Sequence, residues 1–375
     1  PYLALISLVA FASGIQNTHQ KFSIPAFTPV VFNVILIIAA SFIAPNYDMP
    51  ILVLAWGVLL AGFVQLIIQV SPLINIDKLP VPKLDFNNEG VKKFMTIIFP
   101  AIIAGGILQI NLLIDTIFAS LLETGSPTWL YISDRLIQFP MGIFAIAIGT
   151  VLLPTLSKYN LSTEKNNFIK TIKKGQKFVL FIGIPSLIGL FYCAEDLIST
   201  IFYRGAFTEA DVINSSYSLM AFSFGLPFFM LMKVLTPAFF SRKDTTTPMR
   251  VALISLFLNA VLNYWLAFVM GLGHVGIAIG SSLAALVSVC ILEFILYRSG
   301  FIKSYTFVSR FSVMILVASC SLVLFLHFYT QTINFIELDH LDRVLFLFIE
   351  VTIAALIYFT ISRVIYGKSL RKIFE

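Results

Sequence analysis

Charge is what this sequence has least of. Lys, Arg, Asp and Glu together make up 12% of its 375 residues, against about a quarter in a soluble domain. So few charges cannot clothe an aqueous surface, which excludes a soluble globular protein. Cysteine is scarce too. Cys193, Cys290 and Cys320 lie in or beside apolar runs, with no C-x-x-C and no Cys/His cluster. Neither a disulfide framework nor a metal site is expected from them. The motifs of catalysis are also missing. There is no P-loop, no H-E-x-x-H, no G-x-S-x-G and no paired acidic motif at a membrane surface, and the loops are too short for an appended catalytic domain. A membrane-embedded glycosyltransferase or acyltransferase needs an acid or histidine on an outer loop. Asp48, Asp196 and Asp211 are available, but no second motif supports them, and the chain is read as non-enzymatic.

What is present is hydrocarbon. Hydrophobic residues are 58% of the chain. Windows of about 18 or more apolar residues mark membrane-spanning helices, and eleven are found: 1–17, 27–46, 51–70, 94–122, 128–156, 176–200, 212–240, 249–270, 274–297, 308–330 and 344–366. A membrane β-barrel would show short alternating segments instead. The expected fold class is an all-α polytopic membrane protein.

The few charges are not scattered. Of 25 Lys and Arg, 21 fall on alternate loops: after the first, third, fifth, seventh, ninth and eleventh spans. The opposite loops hold only Arg204 and Arg343, and Arg135 and Lys233 fall inside spans. The positive-inside rule then predicts residue 1 outside and a cytoplasmic C-terminus. The net charge of +6 is thus an orientation signal, and no nucleic-acid partner is expected, since such a surface would gather its charge on one folded face.

There is an internal repeat. Leu54–Gln69 aligns without gaps on Ile277–Leu292 at an offset of 223, with six identities in sixteen positions, including Gly57 on Gly280. At the same offset Pro25 falls on Pro248, both just before a span. If spans one to three pair with seven to nine, spans four to six lack partners. Three further spans are then expected ahead of Pro1, giving two six-span lobes in one orientation, plus two additional spans. Parallel repeats of this kind are a transporter architecture with the substrate site between lobes. The domains expected are 1–70, the rest of the N-terminal lobe; 71–93, a cytoplasmic linker; 94–297, the C-terminal lobe; and 298–375, two more spans with a basic tail.

Candidate sites are polar groups inside spans, because a charge at that depth costs at least about 2.5–3.5 kcal/mol without a cavity or partner. Tyr131–Tyr159 carries Asp134 and Arg135, with Arg135 about seven residues, roughly 10 Å, into its span. Guanidinium pairs bidentately with phosphate oxygens, which suits a diphosphate; the alternative is a structural ion pair with Asp134 or Asp115. Asp115, Asn259 and Asn263 lie at similar depth, the two asparagines on one helix face at i, i+4. They suit a hard cation such as Na⁺, a proton relay through Asp115, or plain interhelical hydrogen bonding. Gly273, Gly276 and Gly280 are read as leaving carbonyls free nearby. Lys233 and Glu293 are expected to snorkel, His327 to be interfacial, and Glu350 has no evident partner in sequence. In Ser241–Pro248, Thr246 or Thr247 can cap the next span and Pro248 suits its first turn. Arg242, Asp244 and Pro248, with the kink at Pro140, are gate or hinge candidates. Pro100, Pro185 and Pro227 are further kink sites.

The stretch DRL-x-x-FP-x-G-x-F-x-x-AIGTVLLP-x-LS over Asp134–Ser157, with Pro25-Ala-Phe-x-Pro29 and the R-K-D-x-x-T-P-like Arg242–Pro248, resembles the signature of the MurJ/MviN family, lipid II flippases of the MOP exporter superfamily. The resemblance covers essentially the whole chain, as the fourth to fourteenth spans of the family. It implies a MOP-type two-lobe bundle in the bacterial inner membrane that moves undecaprenyl-diphosphate-linked peptidoglycan precursor outward by alternating access. Other MOP exporters, for polysaccharide lipids, drugs or ions, are the alternative. It implies Arg135, with Asp134, at the diphosphate, and a coupling ion, Na⁺ or H⁺, with no other cofactor. Lipid II, the membrane and the cell-wall synthesis machinery are the implied partners. Gln138 stands where some members carry an acid. With the family's other cavity arginines in early spans, this chain alone is not expected to flip lipid.

Overall fold

In hydrocarbon every backbone N–H and C=O must be bonded within its own segment, so long apolar runs become helices. The computed structural model describes residues 1–19, 21, 23–75, 89–159, 163–301 and 310–367, and its described elements are all helical. They are α1 (Tyr2–Thr18), α2 (Ser23–Ile38), α3 (Pro50–Asn75), α4 (Glu89–Ser120), α5 (Ser126–Pro140), α6 (Ala147–Ser157), α7 (Lys165–Tyr192), α8 (Ala194–Phe202), α9 (Glu209–Phe240), α10 (Thr246–Tyr264), α11 (Gly273–Arg298), α12 (Arg310–Thr330) and α13 (His340–Tyr366). Eight described helical segments are long and apolar enough to cross a membrane. Every expected span has a helical counterpart, with α1, α4 and the α5–α6 pair supplying the other three.

Three spans are not plain α-helices. A π-helical stretch over Met141–Ile146 joins α5 to α6, directly after Pro140, whose ring lacks the N–H that α-helical pairing needs. At the expected hinge, Pro140, the pairing of a continuous helix thus changes from α to π. By contrast Pro185 lies within continuous α7 and Pro227 within continuous α9; α4 too is continuous through Pro100, whose side chain lies outside the described set. The sixth span needs correction. Expected over 176–200, it starts earlier and ends at Tyr192, and Cys193 separates it from α8. The linker expected over 71–93 is helical at both ends, 71–75 in α3 and 89–93 in α4; 76–88 lies outside the described residues, as do Lys303 and the tail beyond 367.

The chain divides into two units, Pro1–Met95 and Thr96–Glu375. In the first, α1 and α2 pack on α3 around a buried amide network. The Gln16 amide donates to Gln69, whose own Nε2 reaches Ser13 Oγ and Thr28 Oγ1, both at 2.8 Å. In the second, α9 is the axis on which α5, α6, α7 and α11 pack. It buries Leu226, Met230, Val234 and Phe239 completely, against Phe168 and Phe181 of α7 among others.

Loop charges in the second unit follow this axis. At 32 residues α9 is about 48 Å long. Past its end, Arg242 and Lys165 both stack on Phe301, at 3.8 and 4.7 Å. At its start, Asp211 closes a capping box with Thr208 and accepts the Trp129 indole N–H at 2.8 Å, and Trp129 packs on His274. The basic loops therefore gather at one end.

The repeat has a structural counterpart. Both α2 and α10 run into a five-residue π stretch, Ala39–Ile43 and Trp265–Val269. In both, the following helix brings a glycine against the preceding one: a Cβ on Gly57 would meet Ala39 in the π stretch, and one on Gly280 would overlap Asn263, two residues before it. The matched glycines thus mark equivalent close approaches of consecutive helices.

Candidate functional site

A cavity of about 790 Å³ lies within the second unit, bordered by α4, α5, the π stretch after it, α9 and α11. Its polar lining includes Asn111, Asp115, Tyr131, Asp134, Gln138 and Ser281; the rest is mostly apolar, including Leu112, Ile137, Phe222 and Ile277. Three of the sequence-derived candidates come together beside it. Asn263, one helical turn beyond Asn259 on α10, donates through Nδ2 to Asp115 Oδ1 at 2.6 Å and to Asn259 Oδ1 at 3.0 Å. Asn259 Nδ2 in turn reaches Ser281 Oγ at 2.9 Å, and Asn111 donates to Asp115 Oδ2 at 3.4 Å. Asn259 and Asn263 are buried and Asp115 is half-buried. Asn263 Oδ1 is buried with no hydrogen-bond donor, pressed against the bare Cα of Gly280. A buried acceptor left without a partner costs about 1–3 kcal/mol.

This cluster offers what a small hard cation binds: one carboxylate and amide and hydroxyl oxygens from three helices. The Asn263 NH₂ stands between Asp115 Oδ1 and Asn259 Oδ1, two oxygens that would otherwise repel. Asn111 and Ser281 were missed in sequence. Asn111 was legible, one helical turn before Asp115, whereas Ser281 is set by the pairing of α10 with α11. The glycines act differently from expectation. Gly276 and Gly280 lie inside continuous α11, so their carbonyls belong to the helix, and their role is to let α10 and its π stretch approach.

Asp134 and Arg135 part company. Successive helical residues point about 100° apart and do not face each other. Asp134 lines the cavity and accepts the Gln138 amide one turn on. Arg135 is exposed, and its guanidinium lies 4.8 Å from the ring centre of Tyr131, which lines the cavity. Among the described residues Arg135 forms no ion pair, so the structural pair with Asp134 or Asp115 is not made. A guanidinium nine residues into α5, about 14 Å from its start, thus lies over a ring that lines the cavity, and donates no hydrogen bond among the described residues.

The turn after α9 is built by its own side chains. Asp244 accepts from the Thr247 N–H at 3.0 Å and from the hydroxyls of Thr247 and Thr246 at 2.8 and 3.1 Å. The side chain that caps α10 is therefore that of Asp244, one residue before the N-cap position Thr245, and the threonines are donors to it, the reverse of the sequence expectation. Asp244 lies outside the spans. Partial burial works to raise its pKa, but these hydrogen bonds and nearby Arg242 outweigh it and hold the carboxyl below its ordinary value. Arg242 stacks on Phe301 with its Nη1 buried and unpartnered, and Pro248 is half-buried in the first turn of α10. Lys233 is exposed. Glu293 accepts the Gln176 amide at 2.9 Å. His327 is exposed and edges onto Tyr192.

Comparison with known proteins places this architecture. The family model "Lipid II flippase MurJ" matches residues 1–341. A probable lipid II flippase MurJ of Vibrio cholerae is 43% identical over 300 residues, covering 80% of this chain and 57% of that protein. The corresponding protein of Haemophilus influenzae is 36% identical over 96% of this chain and 71% of its own length. The lipid II flippase MurJ of Burkholderia cenocepacia is 32% identical over 96% of this chain and 70% of its own. Among solved structures, a lipid II flippase MurJ in an inward closed conformation superposes with a TM-score of 0.78 at 26% identity, over 100% of this chain and 73% of that one. The chain thus spans between about half and three quarters of the relatives' length. With its eight apolar membrane-length helices it is a multi-pass membrane protein, and it belongs to the MurJ family of lipid II flippases.

Proposed function

We propose that this chain takes part in moving lipid II, the undecaprenyl-diphosphate-linked precursor of peptidoglycan, from the inner to the outer leaflet of the bacterial cytoplasmic membrane by alternating access. The observation that carries the reading is Arg135: an exposed guanidinium within a span, with no ion pair among the described residues, over a ring that lines a cavity with several polar groups. A diphosphate offers the bidentate, charge-matched acceptors that such a group lacks. Asp134, tied to Gln138, leaves it free to do so. The π stretch after Pro140 begins six residues, nearly two turns, beyond Arg135, which suits a span that bends as its site turns from one face to the other. The coupling ion, Na⁺ or H⁺, is assigned to Asp115 with Asn259 and Asn263. The Asn263 amide would swing its unpartnered Oδ1 toward an arriving cation. Arg242, Asp244 and Pro248 form the rigid turn between α9 and α10. The basic loops at that end face the cytoplasm, as does the C-terminus.

Native mass spectrometry of the purified protein with undecaprenyl diphosphate, and with undecaprenol as the uncharged control, tests the site. Wild type should retain the diphosphate lipid in preference to the alcohol, and Arg135→Ala should lose that preference. Equal retention of both lipids by wild type, or an unchanged preference in the variant, overturns the assignment.

A further inference from the structure

Glu350 was the acid left without a partner in sequence. In the fold it is completely buried in α13, with one oxygen, Oε1, accepting the Cys193 thiol at 3.1 Å. The other, Oε2, is buried with no donor. Opposite stands Asp196, in the first turn of α8 and 6% exposed, whose Oδ2 is likewise buried and without a donor. The two carboxyls face each other within hydrogen-bonding reach.

Among the described residues, the groups around the pair supply no counter-charge. The α7–α8 joint gives Cys193, α8 gives Glu195 as well as Asp196, and α12 gives Tyr329, whose hydroxyl is donated to Phe346 O at 3.2 Å. The cation of this region is Arg343, two turns before Glu350 on α13. Its guanidinium is committed elsewhere, to the carbonyls of Phe335, Ile336 and Ser199 at 2.7, 2.9 and 3.4 Å and to the ring of Tyr203.

Two carboxylates in contact, buried and without a cation, do not both stay ionised. A single proton between them turns one into a donor and satisfies both open oxygens at once. A metal ion is a poor fit, since hard cations collect about six oxygens and the two carboxyls carry four, one of them already taken by the Cys193 thiol. We propose that Asp196 and Glu350 form a proton-binding site, one proton shared by two carboxyls, that fastens α13 to the α7–α8 joint and loosens it when the proton leaves. The site is separate from the Asp115 cluster and does not depend on the transport reading above.

The test is the pH dependence of melting for the purified full chain in lipid nanodiscs, wild type against D196N/E350Q. The paired amides keep a hydrogen bond between the two side chains and cannot titrate. The folded pair holds a proton that free acids release above about pH 4. Wild-type stability should therefore fall as pH rises from there and level off once the shared proton has left, and this decline should be missing from the double variant. Infrared titration of wild type should show a protonated-carboxyl band that disappears over the same range and is moved or removed by E350Q. Parallel pH profiles in the two proteins, or no such band, overturn the proposal. If the double variant does not fold, E350Q alone carries the melting comparison. Failure of both to fold also overturns it, because an amide donor should stand in for the proton.

Discussion

Gly276→Ala is a test of how α11 meets the π stretch before it. A Cβ built on Gly276 would lie 2.7 Å from the Ala267 N, 2.7 Å from the Leu266 C and 2.9 Å from the Ala267 Cα. Carbon contacts are comfortable at about 3.5–4.0 Å, so something must move by about 1 Å. All three atoms are backbone, so no side chain can swing away. Alanine in a helix gains about 1 kcal/mol over glycine. Overpacking that forces backbone shifts costs about 1–3 kcal/mol or more. With three backbone atoms in the way the cost falls in the upper part of that range, the clash wins, and the net effect is a destabilisation of up to about 2 kcal/mol. Gly189→Ala in α7 is the control, since nothing lies within 4 Å of its Cβ and only the helix gain remains. Melting both in detergent by intrinsic fluorescence should place Gly276→Ala below wild type and Gly189→Ala at or above it. Gly276→Ala melting at or above wild type would refute the close approach.

Asp115→Asn should abolish any rise in Tm on exchanging choline chloride for NaCl. At a hundredfold excess over Kd, wild type should gain about 2.7 kcal/mol, and a wild type indifferent to Na⁺ would refute the sodium reading. Asp244→Ala should lower stability by about 1 kcal/mol through loss of the α10 cap. Because the folded Asp244 carboxyl titrates below its ordinary value, that deficit should be complete above about pH 4. It should shrink as pH falls through the folded value. Trp129→Phe keeps the ring packed on His274 but removes the N–H given to Asp211. It should cost about 1 kcal/mol, read as a lower Tm.

The spans were legible because hydrocarbon forces backbone satisfaction into long apolar runs, and the positive loops sorted themselves by charge. The meeting of Asp115 with Asn263 was legible as well, from equal depth below neighbouring loops. The α7–α8 joint was not. Phe191, Tyr192, Cys193 and Ala194 continue the apolar run, and the one signal was Glu195 and Asp196, acids that favour a helix start. Glu350 could not be paired from sequence, since Cys193 lies 157 positions away at no periodic spacing. The different surroundings of Asp134 and Arg135, Gln138 for one and the Tyr131 ring for the other, follow from a rule the sequence did contain: neighbours on a helix diverge. The cap at Asp244 followed from a tight turn in which Lys243 takes a left-handed backbone, φ 61°, and so lets the Asp244 side chain fold forward onto Thr247.

The central claim is that Arg135 serves lipid II transport. Its most direct test is rescue of bacteria depleted of their own lipid II flippase by the complete gene encoding this chain, wild type against Arg135→Ala at matched membrane abundance. Rescue by wild type and failure by the variant is the expected result. Rescue by both would contradict the role of Arg135, and rescue by neither, with both proteins in the membrane, would contradict the transport assignment itself.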